Sequence, residues 1–125
     1  MNVIIAPKAR SDIASILEWT HEDFGPQTMN RYAKLIKTAI EEIAADPECA
    51  GSEPRPEIAK NCRTFHLFHS RKRAGARGDR IRQPRHLLLY RVTAAGKLEI
   101  GRVLHDSMEL DRHLPEEYRN PADES

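Results

Sequence analysis

The sequence lacks the features that define several large protein classes. It has only two cysteines, Cys49 and Cys62, among 125 residues, so no disulfide framework is expected and a reducing cytosol is the predicted compartment. No apolar run approaches the roughly 20 residues that cross a bilayer, and the apolar run near the N-terminus is too short for a secretory signal. Internal repeats, a phosphate-binding glycine-rich loop and a nucleophile elbow are also absent from the sequence.

A metal site is not expected either. Cys62, His66 and His69 have the spacing C-x3-H-x2-H, which matches no recognised zinc pattern. On a strand the two histidines would also point to opposite faces. The sequence therefore predicts neither a metal nor a cofactor.

The composition that is present fits one compact domain. Hydrophobic residues make up 39% of the chain and charged residues 31%, which is typical of a folded domain with a charged surface. At this length the chain has room for one core. We predict a single domain over 1–125, in which 116–125 forms a frayed tail.

The net charge of +1 conceals a strong segregation of charge along the chain. Residues 1–59 carry 6 basic and 10 acidic groups, residues 60–105 carry 12 and 2, and residues 106–125 carry 2 and 7. The three balances are −4, +10 and −5. A basic block of this kind favours an acidic partner, either nucleic acid or an acidic protein segment.

Hydrophobic periodicity predicts an α+β fold in the order β-α-α-β-β-β. The expected fold has an N-terminal strand, then an antiparallel two-helix hairpin packed on a mainly antiparallel four-stranded sheet, and finally a short C-terminal helix or tail. The segments are a strand at 2–6, helices at 7–23 and 26–46, a loop at 46–62 with one helical turn near 57–60, a strand at 63–69, a basic loop at 70–83 with a strand extension near 80–82, a hairpin at 84–105 that turns at 93–96, and a helix at 107–114.

The faces of the hairpin depend on the length of its turn. An even-length turn puts Leu87 and Leu89 on one face with Leu98 and Ile100, and that face is expected to meet the helices. The other face is mixed and is predicted to be an uncovered binding surface. Its residues are His86, Leu88, Tyr90, Val92, Glu99, Gly101, Val103 and His105. An odd-length turn would invert the relation between the strands.

Metal-free RNA cleavage is one chemistry that these residue types allow. A histidine, tyrosine or carboxylate would handle the 2′-hydroxyl proton while arginines neutralise the charge that develops at phosphorus. The chemically suitable residues are Arg63, His86, Tyr90, Arg91, Glu99 and His105. The alternative is structural, with the tyrosine ring packed in the core and the histidines hydrogen-bonded locally.

The chain resembles the RelE/ParE superfamily of type II toxin–antitoxin toxins, and within it the ParE-like branch. The resemblance covers nearly the whole chain and rests on three parts: A-R-S-D-I-x-x-I-x-x-W at Ala9–Trp19 with the following Phe24-Gly25, the strand from Arg63, and PRHLLLYRV…LEIGRVLHDSMEL from Pro84. It implies a growth-inhibiting toxin neutralised by a cognate ParD-like antitoxin. ParE-like toxins are associated with poisoning DNA gyrase, whereas RelE-like relatives are ribosome-dependent mRNA endonucleases.

Two functions therefore remain open beside a decayed, non-toxic copy. In the first, the toxin binds gyrase directly, and it is not an enzyme. The residues expected to bind the target are Arg63, Arg91, Arg102, His105, Asp106, Met108 and Arg112. The residues expected to bind an acidic antitoxin segment are Ile16, Trp19, Tyr32, Ile36 and Tyr90. In the second function the catalytic groups are Tyr90, His105, Arg63 and Arg91, and only then is direct nucleic-acid binding expected.

Overall fold

The computed structural model describes residues 1–75, 78 and 80–108, and it confirms the predicted α+β fold. The elements are β1 (Val3–Ile5), α1 (Pro7–Phe24), α2 (Pro26–Ala45), β2 (Ser52–Pro54), β3 (Cys62–His66), a 3₁₀ helix (Leu67–Ser70), α3 (Arg71–Ala74), β4 (His86–Val92) and β5 (Leu98–His105). None of the helices in these described ranges is long and apolar enough to cross a membrane.

Proline and glycine fix the two long helices where the sequence places them. Pro7 and Pro26 each occupy the first turn, where a missing N–H costs no hydrogen bond. Gly25 lies between the helices at φ 90°, in the region that favours glycine. The buried face of α2 then packs on the sheet at helical spacing. It consists of Tyr32, Leu35, Ile36, Ala39 and Ile43.

The sheet has five strands in the order β1-β5-β4-β3-β2. β1 runs parallel to β5, and the other neighbouring strands are antiparallel. The prediction of four strands missed β2, which lies in the segment expected to be a loop. β2 has three residues and includes Pro54, so it shows no alternation that a sequence pattern could detect. β2 is a strand because its backbone pairs with the edge of β3, and an edge strand tolerates proline.

The predicted strand at 63–69 ends earlier, at His66. The imidazole Nδ1 of His66 accepts a hydrogen bond from the Phe68 N–H at 3.0 Å, and this cap starts the 3₁₀ helix. α3 follows directly, so part of the expected basic loop is helical. Residues 80–82 form no strand extension. Most of the predicted helix at 107–114 and the whole tail at 116–125 lie outside the described residues.

The predicted assignment of the hairpin faces is wrong. The loop between Val92 and Leu98, which are paired, has five residues, and a bulge shifts the register between Leu89 and Tyr90. The odd loop inverts the relation between the strands, and the bulge changes it again further along. The helices therefore cover the face that carries Leu88, Tyr90, Leu98, Ile100 and Val103.

The opposite face of the hairpin is not open either. Leu87, Leu89, Arg91 and Leu104 are all buried, and Leu89 packs with Cys62 and Ala59. The expected uncovered sheet face is therefore absent from the described part of the chain. The exposed surfaces lie instead at the ends and edges of the sheet.

Candidate functional site

Three histidines meet at the end of the hairpin, around one carboxylate. His86 lies opposite His105 in the β4–β5 pair, with their ring centroids 5.4 Å apart. Asp106 accepts a hydrogen bond from Nε2 of His66 at 3.0 Å and two-pronged contacts from Arg85, the shorter at 3.0 Å. Burial by itself would raise the pKa of Asp106. The hydrogen bonds from Arg85 and His66 outweigh this effect and hold the pKa of this carboxyl below its usual value.

His86 is uncharged at neutral pH because it is half-buried. Burial, helped by the neighbouring His105, lowers its pKa to about 4. Burial also raises the pKa of Tyr32 to about 12, and its hydroxyl is hydrogen-bonded to Nδ1 of His86 at 2.6 Å. The Tyr32 oxygen in turn accepts from the Arg85 backbone N–H at 3.3 Å. This chain of bonds ties α2 to the start of β4.

An aromatic pocket of about 270 Å³ lies beside this cluster. Trp19 and Phe24 stand edge to face at 5.6 Å, and they are 52% and 61% exposed. The other lining residues are Thr20, Thr28, Tyr32, Ile81, Gln83, Arg85, His86 and His105. A large exposed aromatic pair at the mouth of a pocket is typical of a surface that binds another molecule.

The three strand arginines expected at the target site are each paired with a carboxylate. Arg91 meets Glu99 at 2.9 Å, and Arg102 meets Asp12 of α1 at 2.7 Å. Arg63 lies 3.7 Å from the exposed Glu48 and donates to the Ser52 hydroxyl at 2.7 Å. The Arg91–Glu99 pair joins β4 to β5 within the sheet. The other two pairs join the sheet to α1 and to the loop after α2, whatever other role the arginines have.

Tyr90 is fully buried beneath the helices. Its hydroxyl donates to the Pro47 carbonyl at 2.5 Å and is hydrogen-bonded to the Ser52 hydroxyl. Burial raises the pKa of this phenol.

The four residues of the predicted nuclease site are spread over the sheet. Arg63 is paired with Tyr90 across the strands and shares its face, whereas Arg91 follows Tyr90 along β4 and belongs to the opposite face. His105 lies opposite His86, four residues along β4 from Tyr90, which is about 13 Å of strand. The fold therefore does not bring these four side chains to one point.

A second concave surface runs along the edge strand β1. This β1 groove has a volume of about 700 Å³, and Val3 and Ile4 on its rim are each 39% exposed. Its lining is Val3, Ile4, Ile5, Arg10, Ile13, Leu17, Ala33, Ile36, Lys37, Ile40 and Glu41. The structure thus separates the residues expected to bind the antitoxin: Ile36 lines this groove, Ile16 packs against the core, and Trp19 and Tyr32 line the aromatic pocket.

The remaining predicted target residues lie just after β5. His105 accepts hydrogen bonds at Nδ1 from the backbone and hydroxyl of Ser107, and Met108 is 44% exposed. Arg112 lies outside the described residues. No three His, Cys, Asp or Glu side chains in the described ranges are arranged to hold a metal ion.

Sequence reasoning missed Arg85, Phe24 and Asp12 as members of these sites. Phe24 and Asp12 both belong to the segment on which the family resemblance rests, but periodicity assigns them no role. Arg85 precedes β4, and only the fold shows that it reaches a carboxylate beyond the end of β5.

Comparison with known proteins identifies the family. The sequence model of the family described as "ParE toxin of type II toxin-antitoxin system, parDE" matches residues 3–110. Toxin ParE1 of Mycobacterium tuberculosis, from strain CDC 1551 / Oshkosh and from strain H37Rv, is 27% identical to this chain over 111 residues. The match covers 89% of this chain and 95% of each relative.

Proposed function

Because the chain belongs to the ParE toxin family of type II toxin–antitoxin systems, we propose that it inhibits DNA gyrase by direct protein–protein contact. A cognate, ParD-like antitoxin neutralises it by covering a different surface. The RelE/ParE resemblance motivates gyrase as the target, and the exposed aromatic pair motivates binding as the mode of action.

The target surface consists of the aromatic pocket and the residues after β5. Trp19 and Phe24 supply a large apolar area with little conformational freedom to lose, which is the usual character of an interface hot spot. Asp106 and Met108 extend this surface beyond His105. The exposed Trp19–Phe24 pair is the single observation that carries the proposal.

A gyrase supercoiling titration tests the target surface. Purified toxin should inhibit supercoiling at concentrations near that of gyrase, and Trp19→Ala should raise the half-inhibitory concentration about tenfold or more, as expected for a hot spot. Ile4→Glu, on the far edge of the sheet, is the control and should retain inhibition. Growth arrest by a toxin that leaves gyrase unaffected would refute the proposal, and no growth arrest without the antitoxin would indicate a decayed copy.

The antitoxin segment occupies the β1 groove. β1 is an edge strand with two exposed apolar side chains, and such an edge accepts an added strand or an amphipathic segment. Arg10 and Lys37 line the groove against one acidic residue, Glu41. This balance fits an acidic segment with an apolar face.

The same two variants test the antitoxin site in the opposite sense. Ile4→Glu introduces a repulsive, desolvated charge and should weaken neutralisation by the antitoxin at least tenfold, whereas Trp19→Ala should be neutralised normally. The measurement is growth rescue by co-expressed antitoxin, together with the Kd of the purified pair. Loss of neutralisation in Trp19→Ala but not in Ile4→Glu would place the antitoxin on the aromatic pocket instead.

A ribosome-dependent mRNA endonuclease is the second candidate, and the histidine cluster is the observation that favours it. His66, His86 and His105 surround Asp106 and Arg85, so proton-transfer and phosphate-binding groups lie together. Mapping mRNA 5′ ends after induction distinguishes the two functions. Codon-phased cuts that disappear in His105→Ala would support the nuclease, and their absence would leave gyrase as the target.

A further inference from the structure

Six cations of the described residues lie on the segment between β3 and β4, and four of them are exposed. We call this group the basic ridge, and it consists of Arg71, Lys72, Arg73, Arg80, Arg82 and Arg85. The fold draws the segment together: a guanidinium nitrogen of Arg71 donates to the Arg82 carbonyl, and Nε of Arg80 donates to the Gly75 carbonyl, both at 3.3 Å. Apart from Arg85, which lines the aromatic pocket, neither the family match nor the proposed target explains these cations.

Few carboxylates of the described residues lie near the basic ridge. Within the described residues, only Arg73 and Arg85 lie within 4.0 Å of a carboxylate, namely Glu42 at 3.9 Å and Asp106 at 3.0 Å. Arg71 and Arg80 donate to carbonyl oxygens, which leave the positive charge in place. Lys72 and Arg82 are exposed. The other four cations therefore have no carboxylate within 4.0 Å among the described residues.

We propose that the basic ridge binds the phosphate backbone of double-stranded DNA. The ridge is five-sixths arginine, whose planar fork matches phosphate oxygens. A protein segment that was acidic and amphipathic would need an apolar groove beside the charges, as at β1. The aromatic pocket borders the Arg85 end of the ridge, but beside Arg71 the large apolar side chain is that of Phe68. That ring is 46% exposed and is covered by the Arg71 guanidinium at 4.0 Å from its centroid.

The presence of one aromatic ring at the Arg71 end also argues for a duplex over a single strand. Proteins that bind single strands stack successive bases on several aromatic side chains along a basic groove. Phosphate contacts without base contacts give binding that is independent of sequence and strongly dependent on salt. This inference requires no RNA cleavage, and it does not depend on gyrase being the target.

The salt dependence of binding measures the ridge directly. Four phosphate contacts predict a slope of about −3.6 in log K against log salt, so affinity should fall about a hundredfold between 50 and 200 mM salt. Removing two of the contacts in K72A/R82A should halve the slope, and the same salt change should then cost only about tenfold. K8A/K97A removes two exposed charges elsewhere and is the matched control.

The experiment is fluorescence anisotropy of two unrelated 20-base-pair DNA duplexes with purified toxin and both double variants. Equal affinity for the two duplexes, an unchanged slope in K8A/K97A and a halved slope in K72A/R82A are expected. Circular dichroism and thermal unfolding confirm that the variants fold. Equal slopes in the two double variants would overturn the proposal. Tighter binding of single-stranded RNA would overturn it as well, and so would equal competition by poly-glutamate of matched charge.

Discussion

Among the described residues, the ion pair between Asp12 and Arg102 should be one of the most costly polar contacts to break. Asp12 lies on α1, and its Oδ2 accepts from Arg102 Nε at 2.7 Å and from the Val103 backbone N–H at 3.0 Å. Its Oδ1 accepts from the second arm of Arg102 at 2.9 Å. Three hydrogen bonds thus join the first helix to the last strand, across 90 residues of chain.

The magnitude follows from burial. The two side chains are only 15% and 16% exposed, so removing the carboxylate leaves a guanidinium and a backbone N–H poorly hydrated. Breaking a pair that is fully buried costs about 3–5 kcal/mol, and the residual access of water places Asp12→Ala near the lower end, at about 3 kcal/mol. Asp12→Asn keeps one oxygen acceptor and should cost about 1–2 kcal/mol.

Urea unfolding measures these differences. With an m-value of about 1.5–2 kcal/mol per molar, Asp12→Ala should lower the unfolding midpoint by about 1.5–2 M. Glu48→Ala removes a pair of similar composition, but Glu48 is 79% exposed, so that change should stay below about 0.5 kcal/mol. If Asp12→Ala costs no more than Glu48→Ala, the reasoning from burial and geometry is wrong.

Three further changes have definite expected outcomes. Gly51→Ala places a Cβ 2.6 Å from the His69 ring at φ 98° and should cost about 2–3 kcal/mol in thermal unfolding, against about 1 kcal/mol for Gly96→Ala, where φ is 77° and the space is open. Burial lowers the pKa of His86 from 6.5 to about 4, so its contribution to stability is complete above pH 6.5 and is lost as the pH falls towards 4. The free energy of unfolding should therefore decrease between pH 7.5 and pH 4.5 in the wild type. In His86→Gln this decrease should be smaller by about 1–2 kcal/mol, allowing for solvent screening. Tyr90→Phe removes the hydrogen bonds of the Tyr90 hydroxyl and should cost about 1–2 kcal/mol while retaining toxicity, and loss of toxicity in a folded variant would favour the nuclease.

The sequence predicted what local patterns encode. Prolines at helix starts and helical spacing of apolar residues located α1 and α2, and the long apolar runs located β4 and β5. The short strand β2 was not predicted because three residues with a proline show no periodicity. Pairing with the neighbouring edge strand of the sheet gives these residues their extended conformation.

The residues of the candidate site likewise include some that the sequence singled out correctly and some whose surroundings only the fold shows. Trp19, His105 and Asp106 were singled out from the sequence, and they do lie around the aromatic pocket and the histidine cluster. Arg91 and Arg102 were also singled out, because arginines inside strands are unusual, but each faces a carboxylate that only the fold brings near.

By itself the sequence determined the fold class, the order of the main elements and the resemblance to a toxin family, because these depend on periodicity and motif. Only the tertiary structure decided which side of the hairpin is covered and which arginines of the described residues meet a carboxylate. One bulge between Leu89 and Tyr90 and one five-residue loop reverse the faces of a strand whose side chains alternate with period two. The pairing of Asp12 with Arg102 likewise depends on how α1 packs against β5, which no local pattern encodes.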